Sequence, residues 1–353
     1  MNSAILTLLL ILFPNLVYAR QGTVIIPNST VEAGSIRPGS FGSMGLSPNG
    51  KMVSSEDLDH LRFIDKAGKR VVFKFGSIAS ASLSGDGKFI VVERQGSLSI
   101  YNSETQHFLF KLTGIQAFKP IPGTSQIVSY VPGLQVIDLK TKKVGKFLPL
   151  TGSVFKKVEV SSDGSFISIA VKKDDAIYNS FYALPSLESI SEFKLRPSAY
   201  GFNFSRNHVS FHEENERFTR VYNIRTKKLV CEIDESFNFA GSRMIVFKRD
   251  RLELMDPETC KTESVVVTDD NKFMYLNGVI EVSAGKYVGY QDRTIYAVDF
   301  QKKQMTESTQ VGSHNTQLGG VWISKYSKEL VTVHDTNSGY TSVINWTSIE
   351  DLF

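Results

Sequence analysis

Cysteine is scarce: Cys231 and Cys260 are the only two in 353 residues. That excludes the multi-bridged scaffold of a small secreted fold. It also excludes a zinc knuckle, because no two cysteines are closely spaced. The pair can bridge in an oxidising compartment or remain as two structural thiols, and sequence separation does not choose between these. A surplus of one charge is missing too, since 40 Lys and Arg against 36 Asp and Glu leave a formal charge of +4. So mild a balance argues against a nucleic-acid partner. Lys140-Thr141-Lys142-Lys143 and Arg225-Thr226-Lys227-Lys228 could meet an anionic surface, but both fall at predicted turns and read as solvated turns. There is no Gly-rich phosphate loop opening a helix, no His-Glu-x-x-His helix and no Gly-x-Ser-x-Gly elbow.

One pronounced apolar run opens the chain, from Ala4 to Phe13, and Pro14 ends it. Val17-Tyr18-Ala19 then supplies compact residues before a cut, so residues 1–19 read as a signal peptide although Met1-Asn2-Ser3 carries no Lys or Arg. The run is too short to cross roughly 30 Å of hydrocarbon, and no retained transmembrane segment is expected. No cysteine lies near the cut to accept a lipid.

The remainder, residues 20–353, repeats. Asn49-Gly50, Asp86-Gly87, Gly123-Thr124, Asp163-Gly164, Arg206-Asn207, Gly241-Ser242, Ala284-Gly285 and Ser327-Lys328 each precede an apolar strand, at spacings of 35 to 43 residues. A second series keeps phase with the first: Ile64-Asp65, Tyr101-Asn102, Ile137-Asp138, Tyr182-Ala183, Tyr222-Asn223, Met255-Asp256, Val298-Asp299 and Ile344-Asn345 close apolar strands. Asp and Asn suit such positions because their short side chains bond to the backbone of the following turn. Between the markers lie short segments of β-branched and aromatic residues, such as Phe89-Ile90-Val91-Val92 and Leu98-Ser99-Ile100-Tyr101.

Each unit therefore holds four antiparallel strands, and eight units predict an all-β, eight-bladed β-propeller in one domain. The alternative is seven blades with one degenerate unit. The final unit is short of a strand after Ile344-Asn345-Trp346. The apolar segment Gly22-Thr23-Val24-Ile25-Ile26-Pro27 is expected to fill its outer position and close the ring. Period and paired turn markers resemble the WD-repeat and bacterial YVTN-type propeller families at the level of architecture. The terminal dipeptides are mainly Ile-Asp, Tyr-Asn, Met-Asp and Val-Asp rather than Trp-Asp.

By repeat phase, loops joining second and third strands share a face with those joining consecutive blades. Candidates for recognition on that rim are Arg94, Lys172, Lys173, Glu213, Glu214, Lys248, Arg249, Arg293 and His314. Their mixed charges favour a non-catalytic scaffold that binds a protein or an envelope polymer outside the cytoplasm. The YVTN-like appearance and the sparse cysteines favour the periplasm, with secretion as the alternative. The competing class is a metal-assisted hydrolase or lactonase-like enzyme. His60, His314, His334 and Asp335 come from the first and last units or their junction and could meet around a divalent metal. No cofactor is otherwise expected.

Overall fold

The computed structural model describes residues 22–353 apart from 26–28, 35–44, 47–51, 58–59, 65–66, 69, 75–79, 152, 162, 174–175, 196–198, 214–216, 269–274, 292–293, 311–315, 325–328 and 337–340. At the described positions within 22–63 and 70–74, and within 153–157, 199–202, 213, 277–278, 308–324, 333–344 and 350, the structure describes the backbone alone.

Eight sheets follow one another along the chain as the blades of a propeller. Blade 1 runs from Gly45–Leu46 to Arg70–Lys74, blade 2 from Ser80–Leu83 to Phe108–Thr113, and blade 3 from Ala117–Pro120 to Leu148–Pro149. Blade 4 runs from Ser153–Val160 to Ser189–Leu195, blade 5 from Ala199–Phe204 to Leu229–Ile233, and blade 6 from Ser236–Ala240 to Lys261–Val267. Blade 7 extends from Asn277–Ser283 to Gln304–Gln310, and blade 8 comprises Thr316–Ser324, Glu329–Thr336 and Thr341–Ser348 with one further strand. Within each blade the strands that follow one another in sequence pair antiparallel. First strands of adjacent blades approach each other, as in blades 5 and 6, 6 and 7, and 8 and 1, so the first strand is innermost. Blade 1 is the most reduced, its innermost strand being only Gly45–Leu46.

Residue alternation explains the packing. Along Arg243–Phe247 in blade 6, Met244 and Val246 pack with Val221, Cys231 and Ile233 of blade 5. Ile245 and Phe247 of the same strand pack with Leu276, Tyr287 and Val298 of blade 7. Blade 4 divides in the same way: Ile167, Ile169 and Val171 face blade 3, whereas Phe166 and Ala170 face blade 5. A strand covered on both faces must be apolar at successive positions, which is why the second strands read as unbroken hydrophobic runs. Burying each such side chain stabilises the fold by roughly 1.5–3 kcal/mol before entropy is counted. The outermost strands have one open edge and stay polar or half-exposed, as in Phe108–Thr113 and Lys261–Val267.

Two signals at the turns are visible in atomic detail. In blade 2, Ser84 Oγ donates to Asp86 Oδ1 at 2.6 Å and accepts from Phe89 N at 3.0 Å. Ser161 and Asp163 of blade 4 repeat this, with Ser161 Oγ to Asp163 Oδ1 at 2.7 Å and Phe166 N to Ser161 Oγ at 3.1 Å. Gly85 sits where a Cβ would run into the carbonyl of Ile121 in the next blade's turn, so only glycine fits there. At the end of the third strands, Asn102, Asp138, Asn223, Asp256 and Asp299 each accept backbone N–H groups of the following turn at 2.8–3.0 Å. Four residues after each of these, Gln106, Lys142, Lys227, Cys260 and Lys303 take left-handed backbone conformations at φ of 55–64°. The Asx acceptor thus sets a turn that ends in a left-handed residue, and the same device recurs blade after blade.

The strand completing blade 8 is Ser29–Gly34, antiparallel to Thr341–Ser348 with Val31 opposite Ile344. This corrects the expectation that Gly22-Thr23-Val24-Ile25-Ile26-Pro27 would take that place. Gly22–Ile25 instead runs parallel to Gln304–Gln310 as a fifth strand on blade 7. Hydrophobicity was the wrong guide, because an outermost strand needs backbone partners more than apolar side chains.

Cys231, on the outermost strand of blade 5, and Cys260, on a turn of blade 6, are joined as a disulfide with Cα atoms 5.5 Å apart. The bridge ties neighbouring blades. Beside it, His208 Nε2 of blade 5 lies 3.3 Å from Glu258 Oε1 of blade 6, and Asn223 Nδ2 donates to Glu258 Oε2 at 3.4 Å. Burial lowers the His208 pKa and outweighs the opposing pull of Glu258 and Asp256.

A chain lacking everything before Ser35 should therefore lose several kcal/mol of stability, because it leaves Thr341–Ser348 as an uncovered edge. Urea unfolding of the two forms measures this, and identical midpoints would contradict the pairing.

Candidate interaction face

The short turns with Asx and Ser-Asp hydrogen bonds occupy one face, termed lower. The loops between second and third strands, together with the connections between blades, occupy the opposite, upper face. On the lower face, Asp138 and Asp256 are held below the ordinary carboxylate range chiefly by backbone N–H donors from Thr141 and Glu258, respectively. Burial pushes Asp163 upward, but hydrogen bonds from Ser161 and Ser165 and the Arg206 charge prevail and lower it. These carboxylates are occupied in building turns. A small depression between blades 4 and 5 is lined by Ser165, Phe166, Ile190, Arg206, Asn207, Ile224 and Arg225. Arg206 is already paired with Asp163 at 3.3 Å.

The upper face holds the sequence-predicted residues that the structure describes. Arg94 is exposed at a tight turn whose next two residues, Gln95 and Gly96, have φ of 48° and 74°. Such a turn projects the arginine from a short hairpin. Lys172 is exposed, while Lys173 pairs with Glu192 at 3.4 Å and lies over the Tyr178 ring at 5.1 Å. Glu192 in turn accepts from Ser180 Oγ at 2.8 Å.

Blade 6 carries the most developed group. Glu253 is only 6% exposed, yet it takes Arg251 Nε at 2.7 Å, Lys248 Nζ at 3.1 Å and Thr262 Oγ1 at 3.2 Å. Burial raises its pKa, but the hydrogen bonds from Arg251 and Lys248 win and the net direction is down. Arg251 also reaches Asp250 at 3.0 Å, and the preceding Arg249 is exposed. The loop is thereby fixed from below by one buried carboxylate.

Three apolar side chains share this face and were missed by reading the loops as polar: Phe218, Val267 and Tyr275, which are 40%, 54% and 36% exposed. They belong to blade 5, blade 6 and the connection from blade 6 to blade 7. Arg217 pairs with Asp234 at 3.2 Å and leans over the Phe218 ring at 5.9 Å. Tyr275 packs against Phe247 at 5.2 Å between ring centres. A usable signal was present, since Phe218 follows Glu213-Glu214-Asn215-Glu216-Arg217 in sequence and stands immediately before the next strand.

The remaining candidates are not brought together by anything described. His60 opens the third strand of blade 1, opposite Asp57, and His334 and Asp335 lie near the end of the second strand of blade 8. Their backbones are placed, but their side chains fall outside the described residues, as do Glu214, Arg293 and His314 entirely. Glu213 is placed by its backbone in the second strand of blade 5. Among the described residues, no group of three or more His, Cys, Asp or Glu side chains is disposed to hold a metal ion.

No family model and no curated protein matches the chain. Solved structures do resemble it. BamB from Moraxella catarrhalis superposes with a TM-score of 0.53 at 10% identity over 91% of this chain and all of that one. Saccharomyces cerevisiae Sqt1 gives 0.54 at 9% identity over 92% of this chain and all of that one. Dihydro-heme d1 dehydrogenase NirN, solved in complex with DHE, gives 0.51 at 14% identity over 92% of this chain and 79% of that one. At these identities the likeness is one of fold, a propeller architecture shared by proteins of different kinds.

The Glu253 cluster yields a direct test. Glu253→Gln should cost about 1–2 kcal/mol in urea unfolding at neutral pH, the cationic partners being roughly one-third exposed and so partly screened. Because folding lowers this pKa from the ordinary 4.5, its stabilisation is present above that value and fades as pH falls through the lower folded pKa. The difference between wild type and variant should shrink in acid; a constant difference would contradict the assignment.

Proposed function

We propose that the protein is a non-catalytic binding scaffold that works outside the cytoplasm, in the periplasm or after secretion, and recognises a protein or an envelope polymer through its upper face. The observation that carries this reading is that exposed Phe218, Val267 and Tyr275 lie on the same side as charges already held in place by neighbours. Aromatic and arginine side chains amid mixed, paired charge suit macromolecular recognition, because little freedom is left to lose on binding. Export is supported by the apolar segment ahead of Ala19, whose removal would leave residues 20–353 as the mature propeller domain. The disulfide between Cys231 and Cys260 fits an oxidising compartment.

The chemistry of the face names a class of partner rather than a molecule. Nucleic acid is disfavoured by the near-balanced charge. Photo-crosslinking residues placed at Phe218, Val267 and Tyr275 in cells making the full chain provide the test. One reproducible macromolecular adduct from these positions, and none from Arg225 on the lower face, is expected. Equal labelling from both faces, or turnover of a small substrate that survives Phe218→Ala with Tyr275→Ala, would overturn the reading.

A further inference from the structure

Outside the upper face, the strongest unexplained feature is the outer edge of blade 3. Its fourth strand is broken into Lys143–Val144 and Leu148–Pro149, and every residue from 140 to 147 is exposed. Lys140, Lys142, Lys143 and Lys146 fall in this stretch, interleaved with Val144 at 48% and Phe147 at 45% exposure. Phe147 does not dangle: its ring lies so close to Gly133 that a Cβ there would come within 2.6 Å of it. One side of the ring is seated on the blade and the other faces out.

The strip continues onto the neighbouring blade. Lys142 Nζ sits 5.3 Å above the Phe110 ring of blade 2, where Phe108 and Leu109 are 56% and 37% exposed. Phe108 is held edge-on against Tyr101, with ring centres 5.6 Å apart. Among the described residues none of the four lysines takes part in an ion pair, in contrast to Lys173, Lys248 and Arg251 on the upper face. Asp138, the nearest carboxylate in sequence, is engaged by Thr141 N at 2.8 Å and faces Gln126 Nε2 at 3.4 Å.

We infer that this edge docks on a bilayer carrying acidic phospholipid. Unneutralised lysines bring it to a negative surface, and fixed apolar side chains between them enter the headgroup boundary while the lysine stems keep their charges at the phosphates. The small depression between blades 4 and 5 lies elsewhere, and exposed lysine stems flanking a seated Phe147 match the layered chemistry of a lipid surface. The basic run that reads as a solvated turn in isolation gains this role from its apolar neighbours. Docking here leaves the upper face free and does not depend on what that face binds.

Sedimentation of the mature chain with phosphatidylcholine–phosphatidylglycerol vesicles, against pure phosphatidylcholine vesicles, tests the inference. Binding to the acidic vesicles alone is expected, weakening as salt rises. Reversing all four lysines (K140E, K142E, K143E, K146E) should weaken it roughly a hundredfold or more. Val144→Ser with Phe147→Ser should weaken it about tenfold while far-UV dichroism stays unchanged. Lys172→Glu with Lys173→Glu on the upper face should leave it intact. Absence of binding to acidic vesicles, equal binding to neutral ones, or indifference to the four reversals would overturn the inference, and none of these outcomes bears on crosslinking from the upper face.

Discussion

Each blade is a sheet that is apolar on both faces, and no blade can cover itself. Met244 and Val246 need blade 5 as much as Ile245 and Phe247 need blade 7, although the four residues are consecutive. A period of two along one strand thus distributes burial between two neighbours, and the core is a succession of inter-blade layers rather than one central mass. Every later feature follows from this mutual dependence. Outer strands can be polar, turns must bring adjacent blades to fixed spacing, and the sheets at the chain's ends need partners from one another.

The demands on the two faces differ. Lower turns are short and self-satisfied, their Asp and Asn side chains spent on backbone N–H groups and their left-handed residues set at a constant offset. Upper loops are more varied, and there the structure invests buried contacts in holding charges still. Glu253 illustrates this, since a carboxylate that has lost its water must be repaid by the cations and hydroxyl around it, and those partners then become part of a fixed surface. Exposed Phe218, Val267 and Tyr275 on the same side give that surface an apolar component.

Much of the architecture was legible because two local signals repeat. A turn residue such as Asp163 must follow Ser161 and precede an apolar strand, and an acceptor such as Asn223 must precede a left-handed Lys227, whatever surrounds them. Long-range choices were less legible. Nothing in the composition of Gly22–Ile25 or Ser29–Gly34 reveals which outer edge each will meet, because backbone pairing is insensitive to side chains at an exposed rim. The face was legible as a set of loops, and Lys172, Lys173, Lys248 and Arg249 fall at or just after the ends of second strands. Which charges are neutralised, and which apolar residues remain uncovered, depends on side-chain contacts within a blade that strand alternation does not specify, such as Arg217 with Asp234 or Lys173 with Glu192.

The longest-range strand pairing among the described residues sets Ser29–Gly34 against Thr341–Ser348 at the outer position of blade 8, joining segments some three hundred residues apart. Residue-resolved hydrogen exchange of the intact protein examines this directly. The inward-bonded amides of both strands should exchange slowly and lose protection together as denaturant is added. Exchange of Ser29–Gly34 at the rate of an unfolded chain, while Thr341–Ser348 remains protected, would contradict it.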